Sequence, residues 1–225
     1  MPFYMNKIND NDENTQEYWD NVYLSEFGTS KKRLDQERLQ YVKGAILDWM
    51  SRNMQESSPK FVDFGCGGGE LVNWLQYELP QIQKLGIDFA EQTIKRAQKT
   101  RRNISFAVGD LNEQVPLPID SVDVAFCGET LEHLKDPNKT LDLIFSTIKE
   151  GGYLILSVPC KNNNPTSEHN FTFDTWDLIR IANQYGTLMH IDVVAGGLSL
   201  ICIIRKEIKQ TTDDSILPEE PLTQP

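Results

Sequence analysis

The stretch Phe61-Val62-Asp63-Phe64-Gly65-Cys66-Gly67-Gly68-Gly69-Glu70 decides how the rest of the chain is read. Its first half is apolar and β-forming, and predicts a strand over Phe61–Gly65. Its second half holds four glycines in five positions and leads into a helical pattern over Glu70–Leu79. Glycine reaches torsions that other residues resist and lets a ligand approach the main chain closely. Between a strand and a helix, such a density of glycine points to a ligand loop rather than to a flexible turn. A dinucleotide loop asks for G-x-G-x-x-G, and Glu70 stands at the third glycine position. The pattern present is Asp63-x-Gly65-x-Gly67-x-Gly69. An acid two residues ahead of the first glycine repels a pyrophosphate and suits a ligand with an amine or cationic group.

Outward from this turn, strand and helix patterns alternate. Upstream, Arg33–Met50 is helical, with Leu34, Arg38, Tyr41, Val42, Ala45, Ile46 and Trp49 on one stripe. Downstream, strands are expected over Lys84–Phe89, Ile104–Val108, Val122–Cys127 and Tyr153–Val158. Helices are expected over Ala90–Thr100, Asn138–Glu150 and Thr175–Gln184. Gly151-Gly152 reads as the stop of the second of these, and Asp174 as the N-cap of the third. Two last strands, Met189–Val194 and Ser199–Arg205, flank a hairpin connection at Ala195-Gly196-Gly197-Leu198. This order predicts an α/β domain, a mostly parallel sheet covered on both faces, with its final strand antiparallel. Such sheets bind ligands beyond the carboxyl ends of their strands, near the topological switch point.

Acids stand at those ends. Asp63 precedes the glycine loop. Asp88 closes Leu85-Gly86-Ile87-Asp88, at the spacing of a carboxylate that takes both hydroxyls of a ribose. Asp110 follows Val108-Gly109 and can accept an exocyclic amine, with Phe89 and Leu111 as apolar walls. Each acid alone is weak evidence, since a strand-end Asp also caps turns. The three together are specific.

The composition is that of a globular protein: of 225 residues, 39% are hydrophobic and 24% charged. No apolar run approaches the about 20 residues needed to cross a bilayer, and the first residues show no secretory signal. With 22 Lys and Arg against 33 Asp and Glu, the net charge is −11. Such a surface disfavours broad nucleic-acid binding. Cys66, Cys127, Cys160 and Cys202 form no C-x-x-C pair and read as free thiols of a reducing cytoplasm. Residues 1–16 and 209–225 are polar or proline-rich and are expected to be tails, leaving one domain over 17–208.

VDFGCGGGE, LGIDFA, VGDL and VDVAFCGETLEHL, with IKEGGYLILSVP after them, resemble the motif series of the class I S-adenosylmethionine-dependent methyltransferases. The resemblance implies a Rossmann-like, seven-stranded, mostly parallel sheet with helices on both faces and a C-terminal antiparallel hairpin. It implies that Asp63 and the loop Gly65, Cys66, Gly67, Gly69 hold the methionine end of S-adenosylmethionine. It likewise places the ribose on Asp88, the adenine on Phe89, Asp110 and Leu111, and Cys127 and Gly128 beneath the cofactor. Trp19 and Tyr23, in EYWDNVY, resemble an N-terminal lid helix; core packing of an amphipathic segment is the other reading.

Methyl transfer to a hydroxyl needs alignment and a route for the hydroxyl proton. Gly128-Glu129-Thr130-Leu131-Glu132-His133 follows the fourth strand. As a helical turn it would put Glu129, Glu132 and His133 on one face. Together with His169, in Pro165–Phe171, these could hold Mg²⁺ or Mn²⁺. Glu132-His133-Leu134 also resembles a turn of metal-free family members, in which the His packs locally. Both readings stand open. Glu-x-x-Glu-His with a later His resembles the quinone-biosynthesis O-methyltransferases and the 3′-terminal RNA 2′-O-methyltransferases. Without a metal, His169 is the expected general base, with His133 and Glu129 beside it. His190 reads as a core or surface histidine; the Lys31–Arg33 and Lys99–Arg102 runs could meet a phosphate or carboxylate but read first as solvated helix ends. The expected function is O-methylation of a small-molecule hydroxyl, on a quinone precursor, sugar or secondary metabolite. RNA ends and a non-catalytic partner subunit are the alternatives; the acceptor and the oligomeric state are not encoded legibly.

Overall fold

In the computed structural model, residues 5–8, 14–24, 29–53, 58–161, 168–194 and 196–208 are described. Their strands are Asn6–Lys7 (β1), Lys60–Phe64 (β2), Gln83–Asp88 (β3), Ser105–Val108 (β4), Val122–Gly128 (β5), Ile148–Pro159 (β6), Phe171–Thr172 (β7), Gly186–Val194 (β8) and Ser199–Lys206 (β9). Their helices are Gln16–Leu24 (α1), Thr29–Arg52 (α2), Glu70–Glu78 (α3), Glu91–Thr100 (α4), Pro137–Thr147 (α5) and Thr175–Tyr185 (α6), with one 3-10 turn over Leu131–His133.

Seven strands form one sheet in the order β4-β3-β2-β5-β6-β9-β8. From β4 to β6 neighbouring strands are parallel, and β9 runs antiparallel to both β6 and β8. The expected α/β architecture and its antiparallel last strand are therefore observed. The chain leaves β2 toward β3 and β4, then returns to β2's other side as β5. The switch point thus lies between β2 and β5, at their carboxyl ends.

The central strands are apolar because helices cover both faces. On one face Val62, Phe64, Ala125 and Leu154 pack with Leu141 and Ile144 of α5 and Leu178 and Ile181 of α6. On the other, Phe61, Val124 and Ile155 pack with Val42 and Ile46 of α2, Val72 and Leu75 of α3, and Ile94 of α4. Local signals start the helices. Asp136 caps α5 ahead of Pro137 at its first turn, and Asp174 forms a reciprocal capping box with Asp177 on α6.

Two boundaries differ from expectation. Helix α5 ends at Thr147, and Ile148, Lys149 and Glu150 already belong to β6. Ile148 pairs with Val122, and the register then shifts between Val122 and Val124. The Gly151-Gly152 pair serves that irregularity rather than capping a helix: Gly151 has φ +74, and a Cβ on Gly152 would lie 2.8 Å from the Asp123 carbonyl oxygen. At the N-terminus, part of the stretch read as a tail is docked. Asn6 and Lys7 pair antiparallel with Thr172 and Phe171, and the Ile8 amide donates to the Asn170 carbonyl at 2.8 Å. Main-chain pairing needs no apolar side chain, so polar composition did not forbid it. Residues 209–225 lie outside the described residues. Among the described residues no helix is long and apolar enough to cross a membrane.

Candidate active site

The glycine loop is wound as its sequence demands. Gly65, Gly67 and Gly69 have φ of +77, +51 and +74. Space at two of them is filled by neighbouring side chains. A Cβ on Gly65 would lie 2.2 Å from the Thr130 hydroxyl, and one on Gly67 would lie 2.7 Å from the Tyr23 ring. The amides of Gly65 and Cys66 both donate to the Ile87 carbonyl, at 2.8 and 3.0 Å, fastening the loop to β3.

A cleft of about 500 Å³, its open mouth included, lies at the carboxyl edge. Gly65, Asp88, Phe89, Asp110, Leu111 and Glu129 are among its lining residues. Asp88 Oδ2 accepts from the Gly67 amide at 2.8 Å and Oδ1 from the Ala90 amide at 2.9 Å, so it joins the loop to the start of α4. Asp110 Oδ1 accepts from the Asn112 amide at 2.9 Å. Asp63 is buried rather than on the cleft lining. Its charge still reaches the lid: together with Asp88 it adds to the burial that raises the Tyr23 phenol well above its ordinary value. Cys127 lies in the core rather than on the cleft lining, and burial pushes its thiol up. Gly128 leaves room for the Phe126 ring, which a Cβ would meet at 2.3 Å. The Cys66 thiol is buried beside Gly86 and burial raises it too.

Helix α1 covers the cleft with Trp19 and Tyr23, whose rings stack at 5.5 Å. Trp19 also meets the His133 ring edge-on at 4.7 Å, and His133 meets His169 at 5.0 Å. The lid is held by α4: Asp20 accepts from the Thr93 amide and hydroxyl at 2.8 and 2.9 Å.

The expected face of Glu129, Glu132 and His133 does not form. The turn is a single 3-10 turn that begins after Glu129, whose φ is +49. Glu129 is thereby directed to Arg38, 2.6 Å away, and to the Ser199 hydroxyl at 2.7 Å. Glu132, His133 and His169 do converge, with one ligand atom each lying within 4.8 Å of the others. Glu132 is 1% exposed; among the described residues neither carboxylate oxygen accepts a hydrogen bond, and His133 Nε2 lies 3.7 Å from Oε1. Burial, reinforced by Glu129, holds its carboxyl well above the usual range. His133 Nδ1 lies 3.0 Å from the Glu168 carbonyl oxygen, which marks that nitrogen as the protonated one. Burial lowers its pKa to about 4 and also lowers that of His169, so both rings are neutral at pH 7.

Sequence reasoning missed Arg38, Ser157 and Ser199, which surround Glu129. The readable signal was a lone arginine on the apolar stripe of α2. Of the two readings of the Lys99–Arg102 run, the structure gives Arg101 the carboxylate partner: it pairs with Glu70 at 2.7 Å and donates to the Gly68 carbonyl at 2.6 Å, bracing the glycine loop from outside. That residue is no solvated helix end. His190 is half-exposed on β8, as a surface histidine. The side chains of Lys31–Arg33 lie outside the described residues.

A strand-to-loop glycine cradle, strand-end acids and a lid helix around one cleft agree with the family model that matches residues 55–194, described as a methyltransferase domain. The chain belongs to the methyltransferase domain family. This methyltransferase domain is 32% identical over 123 residues to a ubiquinone biosynthesis O-methyltransferase of Chromobacterium violaceum, covering 52% of this chain and 51% of that protein. It is 34% identical over 110 residues to the protein so named in Idiomarina loihiensis, covering 46% and 43%. The chain thus spans about half the length of the curated relatives it matches. In fold it is similar to a SAM-dependent methyltransferase of Aquifex aeolicus, with TM-score 0.64 at 15% identity over 85% of this chain and 98% of that one.

Proposed function

We propose that the protein is an S-adenosylmethionine-dependent O-methyltransferase of a small-molecule hydroxyl, on a quinone precursor, sugar or secondary metabolite, working in a reducing cytoplasm. The observation that carries this reading is the cleft itself: glycine loop, Asp88 and Asp110 line one cavity at the switch point of the sheet. The relatives named as ubiquinone biosynthesis O-methyltransferases support a hydroxyl acceptor. RNA ends and a non-catalytic subunit role are not favoured.

The residues fit the cofactor. Asp88 would exchange its bond from Gly67 for the ribose hydroxyls, with Asp110, Phe89 and Leu111 around the base. The loop from Gly65 to Gly69, with Asp63 beneath it, suits a cationic amino-acid end. When bound, S-adenosylmethionine supplies an activated methyl group whose C–S bond breaks as the new C–O bond forms. The chain's part is to align, to exclude water and to accept the hydroxyl proton. Trp19 and Tyr23 close the cleft to water. His169, which burial keeps neutral and whose ring centre lies 5.0 Å from that of His133, would serve as the base.

A metal-assisted variant is favoured by one observation: among the described residues, neither oxygen of buried Glu132 accepts a hydrogen bond. Glu132, His133 and His169 would hold Mg²⁺ or Mn²⁺, which would ease loss of the hydroxyl proton. Glu129, engaged by Arg38, does not fit that set.

Calorimetry with S-adenosylhomocysteine tests the reading. The wild type is expected to bind, and Asp88→Ala to bind roughly tenfold to a hundredfold more weakly, as lost hydrogen bonds to a charged group imply. A wild type that does not bind sinks it.

A further inference from the structure

Glu129 is one of a few non-glycine residues with positive φ, at +49. Such backbone is costly and persists where the surroundings enforce it. Here the enforcement is visible. The Glu129 amide donates to the Ser157 carbonyl at 2.8 Å. Its Oε1 forms an ion pair with Arg38 Nη2 at 2.6 Å and lies 2.7 Å from the Ser199 hydroxyl, which also faces the Val158 carbonyl at 2.9 Å, and 3.3 Å from the Ser157 hydroxyl. Arg38 Nε donates to the Ser157 hydroxyl at 3.1 Å, and the two serine hydroxyls lie 3.1 Å apart. Arg38, Ser157 and Ser199 are all buried, and they come from α2, β6 and β9. A buried guanidinium is tolerated only when it is paired and hydrogen-bonded, so this arrangement is built rather than incidental.

The other carboxylate oxygen has a different setting. Among the described residues Oε2 accepts no hydrogen bond, and Glu129 is 29% exposed and lines the cleft. One oxygen is held by groups from α2, β6 and β9, while the side chain that carries the other lines the cleft. An ionised carboxylate oxygen only accepts hydrogen bonds. It rewards a ligand that donates one and penalises a ligand that brings a second anion.

We propose that Glu129 selects and orients the acceptor through a hydrogen bond from an acceptor hydroxyl to Oε2, and that Arg38, Ser157 and Ser199 are positioning residues for that bond. The acceptor class is a neutral polyhydroxy compound, such as a catechol-like aromatic, rather than one with a carboxylate at that place. This deepens the O-methyltransferase reading and rests on it. It also accounts for Glu129 standing apart from Glu132, His133 and His169. Arginine's planar fork reaches Ser157 and Glu129 from two separate nitrogens, Nε and Nη2, whereas a lysine would have to serve both from one.

The test titrates catechol and 3,4-dihydroxybenzoate into the full chain saturated with S-adenosylhomocysteine, by calorimetry. The wild type is expected to prefer catechol. Glu129→Gln replaces an acceptor-only oxygen with an amide that also donates. It should weaken catechol about tenfold or more while leaving the carboxylated probe unchanged or tighter. Arg38→Lys and Ser199→Ala should shift the preference in the same direction by less, with S-adenosylhomocysteine affinity within twofold of wild type. A general loss of packing would weaken both probes together and would not reverse their order. A preference unchanged in Glu129→Gln, or no catechol binding by the S-adenosylhomocysteine complex, overturns the proposal. Failure of the wild type to bind S-adenosylhomocysteine removes the underlying reading instead, and is seen before either probe is added.

Discussion

His133 shows how much a single residue's surroundings set its chemistry. Its ring is packed between Trp19 and His169, and its Nδ1 faces a backbone carbonyl. Burial is the largest cause of its fall from 6.5 to about 4. The unfolded chain takes up a proton on this residue below pH 6.5, while the fold refuses it down to about pH 4. Stability is therefore lost as pH falls through that window and is fully present above it. Glu132 acts with the opposite sign, because its raised carboxyl favours the folded state when protonated. Comparing variants isolates the histidine. In chelator-treated protein, His133→Gln should flatten the decline of Tm between pH 6.5 and 4 while lowering Tm at pH 8 through lost packing. Parallel Tm-against-pH curves for the two proteins would refute the assignment. The local sequence offered only a histidine beside an acid; its neutrality is a product of burial, which no motif encodes.

At the scale of elements, α1 and α4 are joined by a cap supplied from another helix. Helix α4 begins after Ala90, whose methyl side chain cannot cap it. Asp20 of α1 fills that role in trans, accepting from the Gln92 and Thr93 amides at 3.3 and 2.8 Å. A carboxylate at a helix N-terminus also meets the favourable end of the helix dipole. Replacement of a cap by alanine typically costs about 1 kcal/mol. Asp20→Ala should cost about that much and do so unevenly. Amide exchange should quicken in α1 and the first turn of α4 while the sheet core stays protected. Uniform quickening, or none, would show that the cap does not hold the lid. The α5–β6 boundary carries a second lesson at this scale. Lys149 and Glu150 suit a helix, but pairing of Ile148 with Val122 draws them into β6. Strand pairing is non-local, so the glycines that serve its bulge resemble a helix stop when only neighbours are read.

For the whole molecule, the cleft is assembled from α1, the β2–α3 loop, the ends of β3 to β5 and the turn after β5. A ligand that binds there and not to the unfolded chain stabilises the entire fold by mass action. At S-adenosylhomocysteine one hundred times above its Kd, the gain is about 2.7 kcal/mol. For a chain of this size each kcal/mol moves Tm by about 2–4 °C, so a rise of roughly 5–11 °C is expected by differential scanning calorimetry. Asp88→Ala should show a rise several degrees smaller at the same concentration. A wild-type Tm that does not respond would count against binding in this cleft.

The sequence by itself determined the alternating apolar segments, the glycine turn and the acids at the strand ends. These are local in origin: strand and helix periodicity, glycine torsions and residue order survive in any reading of the chain. From them the α/β class, the antiparallel last strand and the position of the cleft followed. Only the tertiary structure decided that Glu129 leaves the Glu132–His133–His169 group for Arg38, that Asp20 caps a helix not its own, and that Asn6–Lys7 pairs with Phe171–Thr172. Each of these joins residues far apart in the chain. Burial and backbone direction at the meeting point, rather than residue type, set which partner a carboxylate or an amide finds.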